Sequence, residues 1–316
     1  MTTELTRTSE QPKLRSQTKS KFERFWQKYG IGYLFITPFF ILFTVFVAIP
    51  VLLSLVLSFT YYNMIQPPRW LGLINFKTLI LEDDVFLIAI KNTVIFALIT
   101  GPIGYIGSFL SAWVINQLKF RNAFSLAFYA PSITSGIAMS VIWLYFFSSD
   151  RYGFINNILI NLGIVSNPIH WNMSPSTIML VVIFVSVWMS MGTGFLVFLA
   201  GLQTIPEELY NAGKIDGIRN NFQELRYITI PMVKPQLLFG AVTSIVSSFG
   251  VFDVAVSIAG MPSPDYAAHT IVAHLYDYAF IRFEMGYASA ISLFLFLLTF
   301  TLGRISMKIF STEDMY

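Results

Sequence analysis

The chain of 316 residues has no cysteine. That excludes a disulfide framework, a thiol nucleophile and any cysteine-ligated metal. Charge is scarce too: Asp, Glu, Lys and Arg together make up 12% of the chain, where a soluble domain carries roughly 25%. There are three histidines, His170, His269 and His274. The last two are five residues apart, off the i, i+4 spacing of a helical metal pair, and read as polar loop or helix-end residues. No G-x-x-x-x-G-K-[ST] cradle for nucleotide phosphates, no H-E-x-x-H and no G-x-S-x-G nucleophile elbow occurs in the sequence. With a net charge of only +3, nothing points to nucleic acid. The sequence holds no visible engine: no metal, no catalytic residue and no nucleotide site of its own.

What the sequence does hold is apolar length. Hydrophobic residues make up 55% of it, and no charge occurs between positions 30 and 68. About 20 apolar residues cross a bilayer, and six stretches meet that length: residues 33–59, 92–115, 124–147, 177–201, 236–260 and 285–303. The reading is an all-α polytopic membrane protein of six transmembrane helices. Residues 1–29 form a basic tail that turns into an interfacial helix near 22–26, residues 30–310 the membrane domain, and residues 311–316 a short tail. The first span is too long for a cleavable signal and reads as an anchor. Gly101, Gly104 and Gly107, with Ser108 and Ser111, give the second span a small-residue face on which another helix backbone can approach closely. The acidic run Glu82-Asp83-Asp84 reads as a solvated face or as a contact for a delivery protein. Ser174 and Ser176 read as the start signal of the fourth span.

Fifteen of the 20 Lys and Arg fall on one side of such an arrangement: in the leader, in the 116–123 loop, in the 204–235 loop and after the last span. Five fall on the other side. The basic side is the cytoplasmic one, which places both termini and the 204–235 loop inside a bacterial cell membrane.

That loop, TIPEELYNAGKIDGIRNNFQELRYITIPMVKP, is the longest charge-rich stretch of the second half. Thr204 and Glu207 have capping-box spacing, Pro206 suits a first turn, and Gly217 supplies a stop. Asn221 and Glu224 are expected to cap a second short helix that ends at Pro231. Two capped amphipathic helices joined at a glycine make either a docking elbow or a pair lying on the lipid surface.

The segment resembles the coupling loop of ABC-importer membrane subunits, in the carbohydrate-uptake branch. Ile205 to Tyr210, Ile215-Asp216-Gly217 and Ile228-Thr229-Ile230-Pro231 carry the likeness. Leu71-Gly72-Leu73-x-Asn75-Phe76 and Arg282-Phe283-x-Met285-Gly286-Tyr287-Ala288 resemble the larger permease of maltose-type and multiple-sugar importers. Asn211-Ala212-Gly213 stands where the family has Glu-Ala-Ala. The resemblance implies a heterodimer with a second permease, two cytoplasmic ATPase subunits that hold the ATP and Mg, an extracytoplasmic solute-binding protein and a sugar as solute. It also implies an ATPase contact at Glu207, Glu208, Asn211, Ala212, Gly213, Asp216 and Gly217.

A polar solute needs polar groups at membrane depth. Ser244, Ser247 and Ser248 share one helical face of the fifth span, and Trp188, Ser190 and Thr193 lie in the fourth. Laid against maltose-type importers, Ser190, Thr193, Ser244 and Ser248 fall where the sugar is held. The other reading of these hydroxyls is interhelical hydrogen bonding. Asp253 is the one carboxylate well inside a span, in the outer part of its helix, and is a pathway or gate candidate. The rival class is an ion-coupled secondary carrier, which would need repeats and broken helices around buried ionisable groups.

Overall fold

The computed structural model describes residues 21–310 and divides into two units, one up to Leu53 and one from Ser54 onward. Most of the basic leader therefore lies outside the described residues. In the first unit α1 (Lys21–Phe43) passes through a π turn, Thr44–Ala48, into α2 (Ile49–Leu57). The interfacial turn expected near Trp26 is thus continuous with the span, and Pro38 sits inside the helix without ending it. Its large side chains, among them Phe35 and Phe46, are exposed along its length, and a helix that is apolar all round suits lipid.

The second unit opens on the last turn of α2, followed by a two-stranded antiparallel ladder, β1 (Thr60–Tyr61) and β2 (Arg69–Trp70), and the short helix α3 (Ile74–Leu81). Buried Asn75 donates to the carbonyls of Ser58 and Thr60, and Phe59 stacks on Trp70. The next helix, α4 (Asp84–Asn116), starts eight residues before the expected second span, because the Asp83 side chain caps it by accepting from the Phe86 N–H.

The third span is not one helix. It is α5 (Arg121–Ile133) and α6 (Gly136–Phe146), bent by 95°. Pro131 removes a backbone donor and crowds the carbonyl four residues earlier, and Thr134 turns extended behind it (ψ 143°). After α7 (Phe154–Asn161), the fourth span α8 (Ile178–Gln203) runs unbroken. The Ser174 and Ser176 hydroxyls bond each other rather than capping it, and Thr177 closes the preceding turn instead.

α4 and α8 form the centre of the bundle. A Cβ on Gly104 would lie 2.6 Å from the Ser190 hydroxyl, so a larger residue here would have to displace that hydroxyl, and the Ser108 hydroxyl crosses the gap to the Met191 carbonyl. Around this pair lie three apolar clusters: Phe96, Val182 and Ile258 in one, Phe195, Phe198 and Leu202 in the second, and Leu79, Phe86 and Ile291 in the third.

The fifth span is also broken. α12 (Lys234–Phe249) and α13 (Asp253–Ala259) are separated at Gly250, Val251 and Phe252. The break frees backbone carbonyls, and one of them, on Val251, is taken by the Thr270 hydroxyl. A short helix, α14 (Ile271–Tyr276), and a π turn, Asp277–Ile281, lead into the last span, α15 (Met285–Phe310). Five helices are long and apolar enough to cross a membrane, six with the bent pair counted as one span.

Candidate functional site

The loop after α8 is folded as an elbow. α9 (Glu207–Ile215) ends in Gly217 at φ 95°, where glycine meets the stop the sequence asks of it. Its start differs from expectation. Pro206 is the N-cap, and the Thr204 hydroxyl donates backward to the Gly201 carbonyl, so no capping box forms. The second helix, α10 (Asn221–Glu224), is capped by Asn220, one residue earlier than expected. Pro231 does not end it. The chain continues through a π turn, Leu225–Thr229, and α11 (Ile230–Met232) almost directly into α12.

Ile205, Leu225 and Val233 are buried in the same cluster as Phe195, Phe198 and Leu202. Tyr210 and Thr229 share a hydrogen bond of 3.1 Å, and the Asn221 amide donates to Gln117 at the end of α4. Gly213 is buried against Ile218 and Ile228. Glu207, Glu208, Asn211, Ala212, Asp216 and Gly217 are exposed, as are Leu209 and Ile215. The elbow is therefore anchored on its inner side and presents acidic, small and apolar groups outward.

Away from the elbow, α4, α8 and α12 form an open cavity of about 210 Å³. Thr100 and Gly101, Ser186 and Ser190, and Ser244, Ser247 and Ser248 line it, with Val251 from the second helix break and Val254 from α13. Four of the seven residues chosen from sequence meet here. Ser244 donates to the Gly101 carbonyl, while Ser190, Ser247 and Ser248 donate to carbonyls three residues back in their own helices. Their protons are spent, so their remaining lone pairs are what the cavity is offered. Interhelical bonding, the alternative reading, accounts for Ser244 alone.

Ser186 is the residue that sequence reasoning missed. Its hydroxyl is buried with no hydrogen-bond partner, on the same helix as Ser190 and about one turn away. Only its i−4 spacing from Ser190 could have suggested it.

The other three choices lie elsewhere. Trp188 packs edge-on to Trp143 at 5.2 Å, in an aromatic cluster with Phe184. Thr193 is exposed and does not line the cavity. Asp253 is exposed at the first residue of α13 rather than in the outer part of a continuous helix; an added Cβ on Gly136 would lie 3.8 Å from its Cβ, so the two helix breaks face each other there. A larger recess of about 980 Å³ between α4, α12 and α15 is lined almost wholly by apolar side chains and shares Gly101, Ser244 and Ser248 with the hydroxyl-lined one, which makes it unsuited to a polar solute.

At the end of α4 farthest from the elbow, one sequence reading is corrected and another extended. Asp83 is not a solvated residue: it accepts from His274 at 3.0 Å and from Tyr287 at 2.8 Å. His269 lies in the loop before α14 and His274 in its last turn, as expected, but what the sequence did not show is that both rings are buried, 3.3 Å apart. Asn156 was likewise not singled out. It is fully buried, donates to three carbonyls and accepts from the Ile169 N–H and the Trp171 indole, which ties residues 148–171 together. Among the described residues no group of three or more acidic or histidine side chains is placed to hold a metal.

This elbow, the broken third and fifth spans and the central α4–α8 pair define the class. Residues 104–312 match the family of binding-protein-dependent transport system inner membrane components, and the chain belongs to it: a multi-pass membrane permease rather than an enzyme. It is 34% identical over 287 residues to the probable ABC transporter permease protein YesP of Bacillus subtilis, covering 90% of both chains. It is 32% identical to the arabinooligosaccharides transport system permease protein AraP of the same organism over 289 residues, again 90% of both. The lactose transport system permease protein LacF of Rhizobium radiobacter is 32% identical over 266 residues, 83% of this chain and 87% of that one. In fold it is similar to a chain of a bacterial alginate ABC transporter, solved with a pentasaccharide-bound periplasmic protein, at a TM-score of 0.80 and 22% identity over 93% of this chain and 99% of that one.

Proposed function

We propose that the chain is the membrane-spanning subunit of an ATP-driven importer of sugars or oligosaccharides. It forms the path together with a second permease and receives its solute from an extracytoplasmic binding protein. Two ATPase subunits, which carry the ATP and Mg, act on the exposed face of the elbow. The elbow and both termini lie on the cytoplasmic side of a bacterial cell membrane, as the Lys and Arg bias argues. AraP and LacF, by their names transporters of arabinooligosaccharides and lactose, support a sugar as solute.

The observation that carries this reading is the continuity between cavity and elbow. α8 runs from Ser186 and Ser190 into the elbow, and α12 runs from the elbow to Ser244 and Ser248. A push on α9 reaches the hydroxyl-lined cavity through two helices at once. Closure of the ATPases then shifts the bundle between two states by binding one of them better. The relatives, ABC transporter and sugar transport permeases by their names, lend no support to an ion-coupled carrier, and Asp253, the pathway or gate candidate, has no second carboxylate beside it in its span.

Removal of residues 207–230 tests the mechanical part. The affinity-purified complex is expected to lose its ATPase subunits while the bundle still elutes as a single species; ATPases retained at wild-type stoichiometry would overturn it. Uptake of a labelled neutral oligosaccharide into proteoliposomes tests the energetic part. It should require internal ATP and the binding protein, and an ion gradient alone should not support it.

A further inference from the structure

The far end of the bundle holds a chain of buried titratable groups that transport does not call upon. Asp83 Oδ1 accepts from the Phe86 N–H, and Asp83 Oδ2 from His274 Nε2, Tyr287 and, at 3.5 Å, Tyr278. His274 Nδ1 in turn lies 3.3 Å from His269 Nε2. With Asp83 ionised, one placement of protons satisfies every contact. His274 Nε2–H donates to the carboxylate, so Nδ1 must accept, and His269 Nε2–H donates to it. A single proton added at His274 Nδ1 is met by His269 moving its own proton to Nδ1, so that its Nε2 accepts; a second proton sets donor against donor. A proton added at His269 Nδ1 leaves a cation on a ring only 3% exposed.

The carboxylates facing the pair, Asp83 and Asp277, offset such a cation only in part, and burial outweighs them. Asp83 at the cap of α4 is already shared by three side-chain donors. From the π turn, Asp277 is held at 2.8 Å by Arg282, whose guanidinium lies over the Tyr278 ring. Tyr287 on α15 and Tyr266 in the loop before α14 are phenols in contact with Asp83 and His269.

We propose that Asp83, His274 and His269 form a proton-operated latch, holding the segment from 263 to 284 onto the ends of α4 and α15 while both histidines are neutral and releasing it when they charge. The segment also docks to α4 through bonds to its own backbone. Asn92 donates to the carbonyls of Tyr266 and His269, and Thr93 accepts from the Ile271 N–H. Release strips the break in the fifth span of its Thr270 bond to Val251 as well, so the latch reaches the edge of the hydroxyl-lined cavity.

Burial, with His274 beside it, holds the His269 ring down to about 4, and burial lowers His274 against the pull of Asp83. In an opened segment a histidine returns to about 6.5. The closed form is therefore fully favoured above that value and loses ground as pH falls from 6.5 toward 4. For His269 alone the opening equilibrium rises about thirtyfold between pH 7.5 and 5.

The test is hydrogen exchange of residues 263–284 in the assembled importer, corrected for the intrinsic pH dependence of exchange. Because it reads the segment itself, its outcome is separate from the solute and from the orientation in the membrane. The expected result is a rise of about thirtyfold from pH 7.5 to 5, abolished in H269Q/H274Q, whose amides keep a donor and an acceptor and cannot charge. A flat wild-type profile, or a double variant that follows the wild type, would overturn the latch. Should the double variant fail to assemble, histidine C2 exchange in the wild type supplies the midpoints. A segment opening whose midpoint departs from those of His269 and His274 overturns it equally.

Discussion

Ser186 separates two roles that the other serines of the cavity blur. Its hydroxyl is buried and makes no hydrogen bond, so Ser186→Ala removes an unmet desolvation cost and leaves stability level or slightly higher. A solute that uses this donor loses it, and transport should show a KM raised about two- to tenfold, the effect of about 0.5–1.5 kcal/mol for one hydrogen bond. An unchanged KM would put the solute elsewhere. Ser248→Ala, which removes a hydroxyl bonded within its own helix, should cost stability no more than about 0.6 kcal/mol. Asp83 is the opposite case. Burial alone would raise its carboxyl, but the Phe86 N–H, Tyr287 and His274 together hold it below the usual carboxylate range. Asp83→Ala strands the donors of His274 and Tyr287 and should cost about 1–3 kcal/mol for each in denaturant unfolding of the purified protein; Asp83→Asn, which keeps an acceptor, should cost less.

Among the elements, the α4–α8 contact is held open to backbone approach by Gly104. Gly104→Ala brings a methyl to the Ser190 hydroxyl and should destabilise by about 1–3 kcal/mol. Gly104→Ala with Ser190→Gly should recover most of that loss, because the two changes share one contact. In the elbow, Gly213 faces only the terminal methyls of Ile218 and Ile228. Those ends can swing aside for Gly213→Ala, the residue the resembled family carries there, so ATPase association should survive it. Gly213→Val needs more room than they can give and should release the ATPases in a pull-down.

The small-residue face of α4 was legible in sequence because a glycine series in an apolar run has few other uses. The breaks were not. Pro131, like Pro38 and Pro102, sits inside its helix, and the break comes three residues later, where Thr134 and Ser135 take an extended course. The capping box failed because the Thr204 hydroxyl found a carbonyl in the last turn of α8 before it could reach forward.

At the scale of the whole molecule, the class of fold was readable from hydropathy and the elbow signature, since both are local patterns in the chain. The meeting of Ser186 with Ser244, and of Asp83 with His274, 191 residues apart in sequence, depends on packing that no local pattern encodes. The two facing helix breaks, at Thr134 beside Gly136 and at Gly250 beside Asp253, bear on how the protein sits in lipid. Unpaired peptide groups are intolerable against hydrocarbon and survive at such depth only against protein or water. The side of the bundle where these kinks look at each other is therefore expected to meet protein or water rather than hydrocarbon.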